Sequence, residues 1–287
     1  MNAKSILKYV SICLSILSFL LLSIYFSQAS ENGLVEIIFF DIGQGDAILI
    51  RTISGNKVLI DGGPENYLIG QIGKELTFYD KFIDLVILTH AHDDHVSGLN
   101  EILQRYEVGQ VLFPGLVDYY EPAYKEWLSI IEQKDINLQA TKAGEVYKFD
   151  DGSYLEILYP FVSYQGELVE DVNDTSVVSR FCYVEVCVLL TGDATAQVEE
   201  ELLISGQDLS AEILKLGHHG SQYSSSEEFL VAVDPEVAVI QSGVGNSFNH
   251  PHLRILKRLA RLGIEVLRND QLGQIVIQTD GYDWWLK

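Results

Sequence analysis

Three imidazoles and two carboxylates crowd into the stretch Thr89-His90-Ala91-His92-Asp93-Asp94-His95. Imidazole nitrogen and carboxylate oxygen are the donors that Zn²⁺ or Mn²⁺ prefers, so the chemistry this density predicts is that of a metal centre. His90 and His92 are two positions apart, and at that spacing in an extended chain side chains share a face. Asp94 and His95 fall on the turn that opens the next helix and can address a second point nearby. The plain alternative is a polar loop with solvated histidines. The other histidines argue against it, because all seven fall into three clusters: His90/His92/His95, His218/His219 and His250/His252. A site assembled from distant loops sorts histidines in this way.

Positioning these residues requires strands that end at them. The apolar run Ile83-Asp84-Leu85-Val86-Ile87-Leu88 reads as a buried strand delivering His90. Residues 96–106 then read as a helix with Leu99, Ile102 and Leu103 on its inner face. Upstream, residues 34–40, 47–50 and 57–60 form short strands joined by glycine turns, where Gly43 and Gly45 supply positive φ. Asp41, Asp46 and Asp61 sit at their ends, where carboxylates can orient ligand histidines. Helices are expected at 69–78 and 122–133, the second with Pro122 in its first turn. A further strand covers 111–113, and short strands fill 138–159. In the second half, 176–183 and 184–190 read as a hairpin ending in Thr191-Gly192-Asp193. A helix at 197–204, a strand at 213–216 ending in His218-His219, a helix at 226–233, a strand at 237–240, a helix at 251–262 and a strand-like tail at 275–287 follow. Two strand-rich halves interleaved with helices predict an α/β fold of two sheets packed face to face with helices outside, an αββα sandwich. Strand ends at His90, Asp193 and His218 would gather the centre along one edge of it.

Residues 9–30 carry no charged side chain, and Lys4 and Lys8 precede them. Such a segment is long enough to span a bilayer with the following chain outside, and Ser27-Gln28-Ala29 also suits a cleaved signal peptide. The expected organisation is therefore a membrane anchor or signal at 1–30 and one exported catalytic domain at 31–287, either on the outer face of the cell membrane or secreted. The exported part holds all 41 acidic side chains and lacks only Lys4 and Lys8 of the 19 basic ones, a formal charge of −24. This surface repels polyanions in general, which counts against a simple DNA-binding module and means that a nucleic-acid substrate needs a local basic track or help from the metals. Cys182 and Cys187, five apart in one strand-like stretch, are expected on opposite faces and unpaired.

The motifs His90-x-His92-x-Asp94-His95, Gly192-Asp193 and Gly217-His218-His219-Gly220-Ser221 resemble those of the metallo-β-lactamase superfamily. More narrowly, residues 40–47, 59–63, 172–177, 190–194 and His250-Pro251-His252 resemble the extracytoplasmic hydrolase domain of ComEC-type competence proteins, over residues 35 to 280 or so. The resemblance implies two metals, Zn²⁺ with Mn²⁺ as the alternative. His90 and His92 would hold the first, Asp94, His95 and His218 the second, with Asp193 bridging. Either histidine of the His218-His219 doublet can serve as the ligand. Asp94 and His219 are the expected catalytic residues, with His219 binding substrate or shuttling a proton and Asp93 a further candidate for proton transfer. His250, His252, Asn173 and Ser221 are expected to bind substrate, and Asp46, Asp61 and Asp174 to orient ligands. Two departures stand out. No histidine lies between His95 and His218, where Asn173-Asp174 occupies the corresponding stretch. The chain also carries one hydrophobic segment where ComEC proteins carry a many-helix channel, so it is not expected to transport DNA itself.

The expected activity is metal-assisted hydrolysis of a phosphodiester, in DNA, RNA or a cell-envelope polymer such as a choline-phosphate ester of teichoic acid. For the last, Tyr119, Tyr120, Tyr124 and Trp127 could bind a quaternary ammonium. An inactive surface module that keeps the fold is the reading of another class, and the intact ligand set argues against it. Arg254, Lys257, Arg258 and Arg261 share one helix face and are the expected nucleic-acid track. No protein partner can be inferred from the sequence.

Overall fold

Strand β1 (Val35–Phe39) is buried along its whole length, so its side chains must enter two different apolar layers. Val35, Ile37 and Phe39 face one layer, while Ile38 and the following Phe40 face the other. A strand covered on both sides reads as a near-continuous apolar run, broken here only by Glu36, whose carboxylate accepts from Arg51, Gln278 and Lys287. The computed structural model describes residues 12, 14–18, 33–76 and 79–287. Its contacts separate two units, Met1–Leu34 and Val35–Lys287. In the first, Ile12 and residues 14–18 are helical. The rest of the expected membrane segment, and Lys4 and Lys8, lie outside the described residues. Among the described residues no helix is long and apolar enough to cross a membrane.

The second unit is an αββα sandwich with two mixed sheets. β1 pairs antiparallel with β2 (Ile48–Arg51), and β2 with β3 (Lys57–Ile60). From β3 the sheet continues in parallel through β4 (Phe82–Ile87), β5 (Glu107–Phe113) and β6 (Leu138–Ala140). The second sheet is antiparallel from β7 (Val146–Lys148) through β8 (Tyr154–Tyr159) and β9 (Val178–Tyr183) to β10 (Val186–Leu190). It becomes parallel through β11 (Ile213–Lys215), β12 (Val237–Ile240) and β13 (Glu265–Arg268). β14 (Ile275–Thr279) returns to pair with β1 in the first sheet, and β15 (Trp284–Leu286) pairs with β14.

Ile37, Phe39, Ile48, Phe181, Val188 and Ile213 build the layer between the sheets. The helices Tyr67–Glu75, Asp93–Arg105 and Pro122–Lys134 cover the first sheet through Leu68, Leu99 and Trp127. Ala196–Ser205, Glu227–Val233 and Leu253–Leu262 cover the second through Leu202, Phe229 and Leu259. Most expected elements are present within a few residues. β13 was not expected from the sequence, and β5 begins four residues before the expected 111.

One expectation is overturned. Cys182 and Cys187 form a disulfide, with Cα atoms 4.1 Å apart. They do not lie on one strand: the chain reverses at Val184, which adopts a φ of 54°, so the two cysteines are direct cross-strand partners. The N–H of Cys187 donates outward to the Glu212 carboxylate at 2.7 Å, leaving the Cys182–Cys187 pair free of backbone bonds and its side chains close. Of the aromatic residues that could bind a quaternary ammonium, two serve core packing instead. Tyr124 and Trp127 stack on each other at 5.5 Å inside the helix-covered core, and exposed Tyr120 carries Lys125 over its ring.

Candidate metal centre

The parallel strands of both sheets end at the same edge of the sandwich, and the loops beyond their carboxyl ends hold the titratable residues. This is the place where open α/β sheets bind ligands. β3 leads to Asp61, β4 to Thr89 and His90, β10 to Asp193, β11 to His218 and His219, and β12 to Gln241.

Asp61 sets the first side of the centre. Its buried carboxylate accepts hydrogen bonds from the Thr89 amide at 2.8 Å and the Thr89 hydroxyl at 2.7 Å, and lies 2.8 Å from His95 Nδ1. With Nδ1 occupied, His95 turns Nε2 inward, 3.4 Å from Asp193 Oδ1 and 4.0 Å from Asp94 Oδ1. His90 Nδ1 faces the Thr89 hydroxyl at 3.0 Å, and His90 Nε2 comes within 3.1 Å of His92 Nδ1. His95 and Asp94 occupy the first helical turn of Asp93–Arg105, which is held against the Asp61 loop by the bonds Gly62 N–H to His95 O (2.7 Å) and Gly98 N–H to Gly63 O (2.9 Å). A Cβ at Gly98 would stand 1.9 Å from the Gly62 carbonyl oxygen, so only glycine permits this approach.

The second side comes from the β11 loop. His218 and His219 both lie in the left-handed region, with φ of 50° and 55°, an arrangement that costs non-glycine residues energy and clusters at functional sites. It sends the two rings apart. His219 is buried, with Nδ1 3.0 Å from the Gln241 carbonyl oxygen and Nε2 3.4 Å from Asp94 and 3.3 Å from Asp193. His218 is partly exposed, with Nε2 3.7 Å from Asp193.

Among the described residues, four overlapping groups have ligand atoms close enough to share a cation: His90/His95/Asp193, Asp94/His95/His219, Asp46/Asp61/His95 and Asp46/Asp193/His219. The two containing Asp46 already have a cation. The Lys215 ammonium, fully buried, pairs with Asp46, donates to the Gly192 carbonyl at 2.8 Å and lies 3.8 Å from Asp193. The other two present His95 Nε2, His219 Nε2 and Asp193 Oδ1 without a hydrogen-bond partner. Buried polar atoms are rarely left so. Borderline nitrogen and oxygen donors converging without partners fit divalent transition metals.

The electrostatics agree. Burial opposes charge on His95, yet Asp193, Asp61 and Asp94 hold its pKa well above the ordinary imidazole value. Asp193 and Asp46 do the same for His219 against its burial. Burial tends to raise Asp193 and Asp94, but the neighbouring His219 and His95 hold both below the carboxylate range. His90 goes the other way, pushed well below its usual value by burial and then by the charge on His95. The centre thus has a surplus of negative charge that a cation would neutralise.

Of the other expected residues, His250 lies with its ring 5.7 Å from that of His218 and 6.3 Å from that of His219, and burial with these neighbours pushes its pKa down to about 4. His252 caps a helix instead: its Nδ1 accepts from the Arg254 amide at 3.2 Å. Asn173 is buried with Oδ1 unpartnered. Asp174 receives the Thr195 hydroxyl and so secures the loop after Asp193. The buried Ser221 hydroxyl accepts from the Tyr223 amide at 3.3 Å. Sequence reasoning missed Lys215 and Gln241. The signal for Lys215 was a charge inside the apolar run Ile213-Leu214-Lys215-Leu216, since a buried lysine needs a partner. Gln241 donates to the carbonyls of Phe40 (3.1 Å) and Ala47 (3.0 Å), tying the two sheets together behind His219. Beside Asp94 opens a cleft of about 630 Å³ lined by Asp41, Glu65, Asp93, Tyr67 and Phe248 among others.

An αββα sandwich with a histidine–aspartate centre at one sheet edge defines a class of metal-dependent hydrolases. Residues 40–244 match the metallo-beta-lactamase superfamily, and the chain belongs to it. It is 31% identical over 273 residues to ComE operon protein 3 of Bacillus subtilis, covering 89% of this chain and 34% of that protein. It is 29% identical to competence protein ComA of Neisseria gonorrhoeae, covering 88% and 33%. The chain therefore spans about a third of the length of these relatives. Among solved structures, the metallo-beta-lactamase fold protein YhfI from Bacillus subtilis superposes with a TM-score of 0.59 at 11% identity, over 85% of this chain and 99% of that one. Igni18, a metallo hydrolase from Ignicoccus hospitalis, gives 0.54 at 18%, over 84% and 98%. These two show the shared fold. The protein is a member of this superfamily related to competence proteins.

Proposed function

We propose that the protein is an exported phosphodiesterase that cleaves nucleic acid, single-stranded DNA foremost, at a dinuclear centre. The observation that carries this reading is the convergence of unpartnered His95 Nε2, His219 Nε2 and Asp193 Oδ1 at the edge where both sheets end. His90, His92 and Asp193 would hold one ion, and Asp94, His95 and His219 the other, with Asp193 shared. His219 takes the place expected for His218, because its ring is the one turned between Asp94 and Asp193. Divalent ions supply a water nucleophile at neutral pH and stabilise charge developing on a phosphoester. Asp61 and Gln241 keep His95 and His219 in the orientation that points Nε2 inward. His218 and His250, whose rings stand 5.7 Å apart beside the centre, would donate to a phosphoryl oxygen.

Two observations support the nucleic-acid and export parts. The similarity to competence proteins covers nearly the whole chain. The Cys182–Cys187 disulfide suits an oxidising compartment outside the cytoplasm. The purified protein should contain up to two transition-metal ions and hydrolyse both bis-p-nitrophenyl phosphate and single-stranded DNA. A protein that cleaves p-nitrophenylphosphorylcholine and leaves DNA intact would instead be an envelope esterase. A protease added to intact cells should digest the domain, and protection until lysis would sink the export reading.

A further inference from the structure

Two hollows of opposite charge lie on segments that leave the centre. The cleft beside Asp94 presents Asp41, Glu65 and Asp93 and no cation. The other, of about 420 Å³, is lined by Arg254, Lys257, Arg258, Arg261 and Glu227. Both walls of this second hollow come from the centre. The helix Leu253–Leu262 starts three residues after His250, and Glu227 opens the helix that follows the His218-His219 loop. Arg258 donates to the Ser225 carbonyl and Arg261 pairs with Glu227, which join the two walls. Arg254 and Lys257 are exposed and make no ion pair among the described residues.

On a chain of formal charge −22, four cations facing one carboxylate form a local reversal of the field. A phosphodiester strand reaching the metals is repelled by the Asp41, Glu65 and Asp93 wall and attracted by this helix. We propose that the Arg254–Lys257–Arg258–Arg261 face anchors phosphates of a single-stranded nucleic acid beyond the one being cleaved. The anchor rests on the nucleic-acid reading above and sets the direction in which the strand leaves the centre. Arg258 and Arg261 shape the hollow, and Arg254 and Lys257 supply the uncompensated charge.

The test is the salt dependence of binding of a phosphorothioate single-stranded oligodeoxynucleotide to the metal-loaded protein, followed by fluorescence anisotropy. Against the unmodified protein, Arg254→Gln/Lys257→Gln should bind about tenfold more weakly, and its slope of log K against log salt should be shallower by about 1.4, at ~0.7 per lost phosphate contact in single strands. The charge-reversed Arg254→Glu/Lys257→Glu should lose more. Unchanged affinity and slope in both variants would overturn the anchor, while DNA cleavage by the unmodified protein would still uphold the phosphodiesterase reading. Lost binding in the variants, with no DNA cleavage by the unmodified protein, would show a nucleic-acid-binding face and overturn both the phosphodiesterase reading and the anchor as a cleavage subsite. Preferential binding to phosphatidylglycerol vesicles, abolished by the same substitutions, would overturn the proposal in favour of a membrane surface.

Discussion

At the scale of single residues, the centre depends on which ring nitrogen points inward and on what holds the other one. His218 and His219 are equivalent as a sequence motif, yet consecutive left-handed backbone turns only His219 between Asp94 and Asp193. His219→Ala should therefore lower bound metal by about one ion, whereas His218→Ala should retain metal and lose turnover. Metal analysis of the two variants separates them, and the reverse pattern would return the ligand role to His218. Lys215 is the buried counter-charge of Asp46. Its replacement by Met leaves a buried carboxylate without its partner, at a cost of about 3 kcal/mol, measurable as a lowered urea midpoint. A cost near zero would mean that His95 and His219 carry Asp46 unaided.

At the scale of elements, the His95 helix and the Asp61 loop act as one unit because glycine lets them touch. Gly98→Ala places a Cβ into the Gly62 carbonyl and should destabilise by about 1–3 kcal/mol. Because the same contact fixes Asp61 on His95, metal affinity should fall with stability. Loss of stability with metal affinity intact would show that the helix shifts without moving His95. The β9–β10 hairpin is closed by Cys182–Cys187 over a short loop, and removing the bond should cost no more than about 2 kcal/mol. A denaturant titration of Cys182→Ser under oxidising conditions measures this. The unexpected β13 completes the parallel half of the second sheet beside β12.

At the scale of the whole molecule, the centre sits where two sheets and their loops meet, so metal binding is coupled to folding. Three buried carboxylates, Asp46, Asp61 and Asp193, and the partly exposed Asp94 share the edge with one lysine. Metal ions that bind only this folded arrangement stabilise it by mass action, by roughly 4 kcal/mol at a thousandfold excess over Kd. Exhaustive chelation should accordingly lower the Tm, and re-adding Zn²⁺ or Mn²⁺ should restore it. An unchanged Tm on chelation would indicate that His95 and His219, protonated, already satisfy these oxygens.

The candidate centre was legible in the sequence because its residues cluster in short motifs: His90, His92, Asp94 and His95 lie within six positions, and Asp193 and His218-His219 follow apolar strands. The layer order was legible too, since period and strand length report burial on one face or two. What the sequence left open depends on distance through space. His218 and His219 differ in where the consecutive left-handed residues send their rings, and Cys182 and Cys187 pair because the chain reverses at Val184 between them. Lys215 finds Asp46 across 169 positions of chain, and Gln241 reaches Phe40 and Ala47 from the other sheet. Those partnerships exist only once both sheets have packed, because no local periodicity encodes which buried charge will meet which.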